Sequence, residues 1–410
     1  MIQLDDLRRT PNALAPDYSA FRVADRLLLT GHSHQAWPDV ARDGQLEAFE
    51  DAARHVDEKW ERAFAKADAV RDGFRRLLGE PGAEIALAPN THELVTRFLS
   101  ALDLRRRPRL VTSDGEFHTL RRQLARLGEE GIDVVRLSAH PAETLAERMA
   151  AALDRQTSAA LVSAVLFETS RIVPRLHELS RACAAAGVEL LVDAYHALGV
   201  LPYRVRELGL EAAWIVGGGY KYLQLGEGNC FLRLPPHAST LRPVLTGWFA
   251  EFEALAAARD DQAVQYSSGS ARFAGSTYDP TSHYRAARVF AFFEERGLTP
   301  ELLRTVYLHQ TALLARRVDE LDAPADFLTR DRSAPLEAFG GFLPLESPHA
   351  DALARRLAAD GVLVDTRGRY LRLGPAPYLS DAQLETAMDL LAAAVSALGG
   401  RVADAALRVR

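Results

Sequence analysis

Leu190-Leu191-Val192-Asp193-Ala194-Tyr195-His196-Ala197, followed further along by Gly217-Gly218-Gly219-Tyr220-Lys221-Tyr222, is the stretch on which the reading of this chain turns. A short run that is apolar at every position suits a parallel strand covered on both faces, rather than a strand with one wet face. Here such a run ends in a carboxylate. In open α/β sheets ligands collect at the carboxyl ends of the strands, so Asp193 and Lys221 both stand where a site is expected. Working outward, helix-like patterns alternate with apolar runs from about residue 44, which is the α/β signature. Strands are expected at 84–87, 109–112, 134–137, 159–166, 189–192, 213–216 and 228–232, with helices such as 145–153 and 177–186 between them. After about residue 285 the chain changes to long Ala-, Leu- and Arg-rich helical stretches, interrupted by strand-like runs at 340–343 and 370–373. The expected organisation is a segment over 1–43 packing across both domains, a large domain over 44–290 with a mainly parallel sheet, and a smaller α+β domain over 291–410. The Ala-rich tail, 390–410, reads as a packing helix with a frayed end.

The chain has 410 residues, of which 48% are hydrophobic and 25% charged, so a large core is available. A net charge of −6 gives no general attraction to nucleic acid or anionic lipid, and an anionic ligand must be held by a local site. No apolar run approaches the roughly 20 residues needed to cross a bilayer, and residues 1–10 lack the order of a secretory signal. A cytoplasmic location is expected. Two cysteines, Cys183 and Cys230, are too few for a disulfide framework or a cysteine-ligated metal cluster, and both read as small buried hydrophobes.

Lys221 lies between glycines and aromatic residues and is one of few lysines in a chain that prefers arginine. Arginine would serve a simple charge role, whereas only lysine among the common side chains forms an imine with an aldehyde. A carboxylate at a strand end, Asp193, can pair with a protonated pyridine nitrogen and keep the ring an electron sink. Either residue alone reads as a cap or a loop lysine; together they point to pyridoxal phosphate. Ala88-Pro89-Asn90-Thr91-His92-Glu93 follows a strand and opens a helix, so its amides and the Thr91 hydroxyl can hold a phosphate at the positive helix end. After the next strand, Asp114-Gly115-Glu116-Phe117-His118-Thr119 offers Phe117 as an aromatic that can stack on a planar ring.

These segments, with Glu84-Ile85-Ala86-Leu87, Phe167-Glu168-Thr169-Ser170, Tyr220-Lys221-Tyr222-Leu223 and Gly247-Trp248-Phe249, make the chain resemble kynureninase, in the class V aminotransferase group of fold-type I pyridoxal-phosphate enzymes. The resemblance runs in order from about Gly31 to Leu373. It implies hydrolysis of L-kynurenine or its 3-hydroxy form to anthranilate or hydroxyanthranilate and alanine. It also implies Lys221 as the imine lysine, Asp193 as partner of the pyridine nitrogen, His196 near ring and phosphate, and Tyr220 on the phosphate with a part in proton transfer. Thr91 and His92 match the phosphate-binding turn and Phe117 the stacking aromatic. Trp248 and Thr277 match residues that reach the phosphate from a neighbouring subunit, so a homodimer is implied. Arg372, in Arg369-Tyr370-Leu371-Arg372-Leu373-Gly374-Pro375, matches the arginine that grips the substrate α-carboxylate, which a planar guanidinium can bind through two parallel hydrogen bonds. Arg367 and Arg369 are nearby competitors for that role. Ser33 and His34 fall in the substrate loop, and His55 corresponds to a histidine near the aryl group.

Two positions depart from the family. The N-terminal loop is Gly31-His32-Ser33-His34 in place of Gly-Asn-Ser-Leu-Gly, and Leu120 replaces an aspartate three residues beyond the stacking aromatic. Aminotransferase or lyase action on another amino acid therefore stands as the alternative, because specificity rests on few pocket residues. Cysteine desulfurases need a mobile late cysteine, and none follows Cys230. A noncatalytic regulator is disfavoured by the retained Lys221 and Asp193 and by the lack of a helix-turn-helix or basic patch. No strand leads into a Gly-x-Gly-x-x-Gly turn, which argues against a nicotinamide enzyme.

Overall fold

The computed structural model describes residues 2–254 and 263–403. Seven strands form the central sheet: β1 Glu84–Ala88, β2 Arg109–Ser113, β3 Asp133–Leu137, β4 Thr157–Ser163, β5 Glu189–Asp193, β6 Trp214–Gly218 and β7 Cys230–Leu234. Their spatial order is β1-β7-β6-β5-β4-β2-β3, and β7 alone runs antiparallel to its neighbours. Period-two alternation explains why the runs are apolar throughout. Ala160, Val162, Leu190, Val192 and Ile215 enter the core on one face, while Ala159, Leu161, Leu191, Trp214 and Val216 enter the core on the other.

Helices cover both faces. The second face packs α3 Thr91–Ser100, through Leu94, Val95, Phe98 and Leu99, and α4 His118–Glu129, through Leu120 and Leu124. The first face is covered by α2 Lys59–Leu78, α5 Leu145–Ala151, α6 Leu176–Ala186 and α7 Thr281–Arg296, and α1 Val40–His55 lies along α7. Leu120, where the resemblance expects an aspartate, is buried in this packing and lines neither of the two hollows described below.

Beyond α8 Pro300–Leu321, a four-stranded antiparallel sheet contains β8 Thr329–Arg330, β9 Leu343–Glu346, β10 Asp365–Arg367 and β11 Tyr370–Leu373, in the order β10-β11-β9-β8. Helices α9 Ala350–Ala359 and α10 Asp381–Ala397 pack with it. The expected strand at 340–343 begins only at Leu343, because Gly340 and Gly341 are spent on close approach to Ser170 and Tyr222. The first part of the expected tail helix lies in α10; residues 404–410 fall outside the described residues. The N-terminal segment is tied to this last third of the chain. Leu27–Leu28 pairs in parallel with Val362–Leu363, and Thr30 bridges to Gly374. No described helix is long and apolar enough to cross a membrane.

Candidate active site

The carboxyl ends of β1, β2, β4, β5 and β6 converge on a cavity of about 300 Å³. Thr91, His92, Phe117, Asp193, His196, Tyr220 and Lys221 all line it. The parallel sheet dictates this convergence, since each of these strands delivers the loop that follows it to the same edge.

Lys221 follows β6 after Gly219 and Tyr220, and at Gly218, the last residue of β6, a Cβ would come within 2.5 Å of both Tyr195 Oη and Cys230 Sγ. Lys221 Nζ lies 2.7 Å from His196 Nε2 and faces the rings of Tyr195, Phe117 and Tyr220 at 4.7, 5.2 and 5.7 Å. Burial of the ammonium pushes its pKa down from 10.5 to about 7; Asp193 opposes the change and Arg372 adds to it. A neutral amine is thereby available near neutral pH. His196 is held well below its ordinary range by burial and by the charge of Lys221, so its ring is neutral. Its Nδ1 is buried without a hydrogen-bond partner among the described residues.

Asp193 closes β5, is half-buried and lines the cavity. Burial raises its carboxyl pKa, against the opposing pull of the Tyr195 N–H, which donates to Oδ1 at 2.8 Å, and of Lys221. At the β1 end, Asn90 caps α3 by accepting from the Glu93 N–H at 2.9 Å, and Thr91 and His92 occupy the first turn. A second carboxyl, Glu116, is buried beside the cavity wall; Ser113 Oγ and Ser163 Oγ each donate to it at 2.6 Å. Burial pushes its pKa up from 4.5 to about 7, despite the two hydroxyls, and Asp193 adds to the rise.

These residues fit pyridoxal phosphate. The cavity has an amine that can hold an aldehyde, a carboxylate for a ring nitrogen, an aromatic wall at Phe117, a helix N-terminus for phosphate and an unpartnered polar atom at His196. The other expected residues lie further out. Trp248 Nε1 donates to Thr277 Oγ1 at 3.2 Å, and Thr277 lines a larger adjoining hollow of about 1270 Å³. His34 stacks on Tyr220, with ring centroids 4.9 Å apart. His55 ends α1, and no hydrogen bond or ring contact joins it to the cavity among the described residues.

Arg372 is 2% exposed and donates from Nη1 to the Phe167 carbonyl at 2.6 Å, while the Phe167 side chain lines the cavity. Its Nε and Nη2 are engaged by Asp365, at 2.8 and 2.5 Å. Asp365 also accepts from His32 Nε2 at 2.7 Å and from Ser33 Oγ at 3.1 Å. The sequence pointed to Ser33 as a site residue; His32 stood there only as part of the departing loop, and Asp365 was missed. The available signal was the hairpin: Gly368 has φ 54° at its turn, and Asp365 pairs directly with Arg372 across β10 and β11. Of the two competing arginines, Arg369 reaches solvent beside Glu346, and Arg367 Nη1 donates to its neighbour's carbonyl, Thr366 O.

Known structures share this architecture. A solved structure of a C-DES variant with glycine covalently linked to its PLP cofactor superposes with a TM-score of 0.80 over 92% of this chain and 98% of that one, at 14% identity. The chain has the α/β fold of fold type I, with its mainly parallel central sheet. No family model matches the sequence. The fold-type I chain is 24% identical to the kynureninase of Bacillus cereus over 299 residues, covering 70% of this chain and 67% of that protein. It is 21% identical to the uncharacterized aminotransferase YcbU of Bacillus subtilis over 357 residues, 85% and 89% of the two chains.

Proposed function

We propose that this protein is a pyridoxal-phosphate enzyme that cleaves the side chain of L-kynurenine or 3-hydroxykynurenine by hydrolysis, releasing the anthranilate and L-alanine. The observation that carries the reading is Lys221, a buried amine with a pKa near 7, paired with His196 and sharing one cavity with Asp193. The similarity to a kynureninase over most of the chain supports the substrate. When bound, the cofactor supplies the electron sink for charge developing at the substrate α-carbon.

The chain's own residues supply the rest. Lys221 Nζ would hold the cofactor aldehyde and, as a free amine, would take the α-proton of the substrate. Asp193 holds the proton on the ring nitrogen. Thr91, His92 and the amides of the first turn of α3 take the phosphate, with Tyr220, and Phe117 covers the ring. His196 Nε2 accepts a hydrogen bond from Lys221 Nζ across 2.7 Å and steadies the amine. Arg372 grips the α-carboxylate. Trp248 and Thr277 reach the phosphate of a second subunit. The exposure of Val244, Leu245, Trp248 and Phe252 around the larger hollow supports burial of that face in a homodimer. Transfer of the amino group of another amino acid is the second reading, favoured by the match to YcbU over 85% of the chain.

The test is an absorption spectrum of protein purified with pyridoxal phosphate, followed by addition of L-kynurenine. The expected result is a visible band that Lys221→Ala abolishes, then anthranilate and alanine in equal amounts. A band with no such products would reject kynurenine as substrate. No band in the parent protein would reject the cofactor.

A further inference from the structure

A guanidinium has five donors, and Arg372 commits three of them inside the protein: Nε and one N–H of Nη2 to Asp365, and one N–H of Nη1 to the Phe167 carbonyl. What remains for a ligand is one N–H on each terminal nitrogen. Asp365 is itself over-determined. It sits opposite Arg372 in the β10–β11 ladder, and both its oxygens receive further donors, from His32 and Ser33. The His32 ring lies tilted against Phe342, with centroids 4.6 Å apart, and Phe342 in turn faces Arg372 and His196.

We propose that Asp365 is the positioning residue of the substrate site: it locks the guanidinium of Arg372 by its side edge so that the remaining N–H pair is held ready for a ligand carboxylate. This rests on the reading of Arg372 as the carboxylate clamp. The physical reason is ordering. A free arginine explores many rotamers and loses them on binding, whereas one already fixed in two parallel hydrogen bonds does not. Burial alone would raise the Asp365 carboxyl, but the hydrogen bonds from His32 and Arg372 hold it well below the usual carboxylate range, so it stays an anion. Burial pushes His32 down to about 4, which keeps it a neutral donor through Nε2. Within this group Arg372 and Asp365 cancel, and the orientation of Arg372 rather than surplus positive charge selects the ligand.

The experiment compares L-alanine with ethylamine, the same molecule without its carboxylate, as ligands of the cofactor-loaded protein, by equilibrium calorimetry and spectral titration. Asp365→Asn keeps the shape and removes the charge; Ser33→Ala removes one donor to Asp365 and perturbs the fold less. Expected are a loss of L-alanine affinity on the order of tenfold in Asp365→Asn and roughly twofold to fivefold in Ser33→Ala, with ethylamine unchanged. Adding Asp365→Asn to Arg372→Ala should cause no further loss, because the two act as a unit. Unchanged L-alanine affinity in both single variants overturns the proposal. Tighter binding in Asp365→Asn also overturns it, since Asp365 would then be occupying the ligand's own place. If Arg372→Ala leaves L-alanine unaffected while ethylamine and the visible band behave as in the parent, the clamp reading fails instead.

Discussion

Glu116→Gln should change how the stability of this protein depends on pH. Glu116 is 1% exposed, with both oxygens accepting from serine hydroxyls, and its pKa is raised from 4.5 to about 7 by burial and by the nearby Asp193. Between those two values the folded state keeps a proton that the unfolded chain has released. Stability therefore falls as pH rises through that window. A rise of this size corresponds to about 3 kcal/mol when complete, at 1.36 kcal/mol per unit. The cost is absent at low pH, where both states are protonated, and fully present above about pH 7. Glutamine keeps the volume and one acceptor but has no proton to lose. Urea unfolding midpoints of the two proteins, converted with their m-values at several pH values from about 4.5 to 8, give the difference directly. Other groups that titrate cancel between the variants. The expected result is that Glu116→Gln gains on the parent by about 2 to 3 kcal/mol on going from about pH 5 to about pH 7.5. Parallel curves would refute a buried, strained carboxyl at this position.

Two further outcomes follow from packing. At Gly374 a Cβ would collide with His32 Nδ1 and lie 2.8 Å from the His32 backbone nitrogen, so Gly374→Ala should cost about 1–3 kcal/mol by calorimetry and weaken L-alanine binding through His32 and Asp365. Arg233 is buried on β7, between β1 and β6, with Nε and Nη2 donating to Glu80 at 2.7 Å each, so Glu80→Ala should cost about 3–5 kcal/mol by leaving a buried unpaired charge. Replacing both partners by leucine should recover much of that loss, and equal damage in single and double variants would count against the pairing.

The central sheet was legible because its strands are apolar on both faces, and all seven runs appear within a few residues of their expected positions. The run through 166 ends early, at Ser163, because the Ala164 N–H turns to the Asp193 carbonyl and Val165 bridges to Ile172. The residues around the cavity were legible for the same reason, since strand ends in a parallel sheet converge whatever the sequence between them. The surroundings of Arg372 were not. The arm Asp365-Thr366-Arg367 has no apolar alternation, so nothing in its composition marks a strand, and its partners His32 and Ser33 lie more than three hundred residues away in sequence. Glu116 was quoted only as part of a turn; its burial depends on Ser163, contributed by a different strand.

The pairing of residues 27–31 with 362–374 bears on how the protein is made. On the ribosome, Gly374 emerges later than Gly31 by on the order of half a minute, at roughly 5–20 residues per second. During that interval the central sheet can form around Asp193 and Lys221, but Ser33 has no Asp365 to bind and His32 has no pocket. The cavity around Lys221 can thus exist before the proposed clamp does, and the clamp is complete only once residues 365–374 have been made.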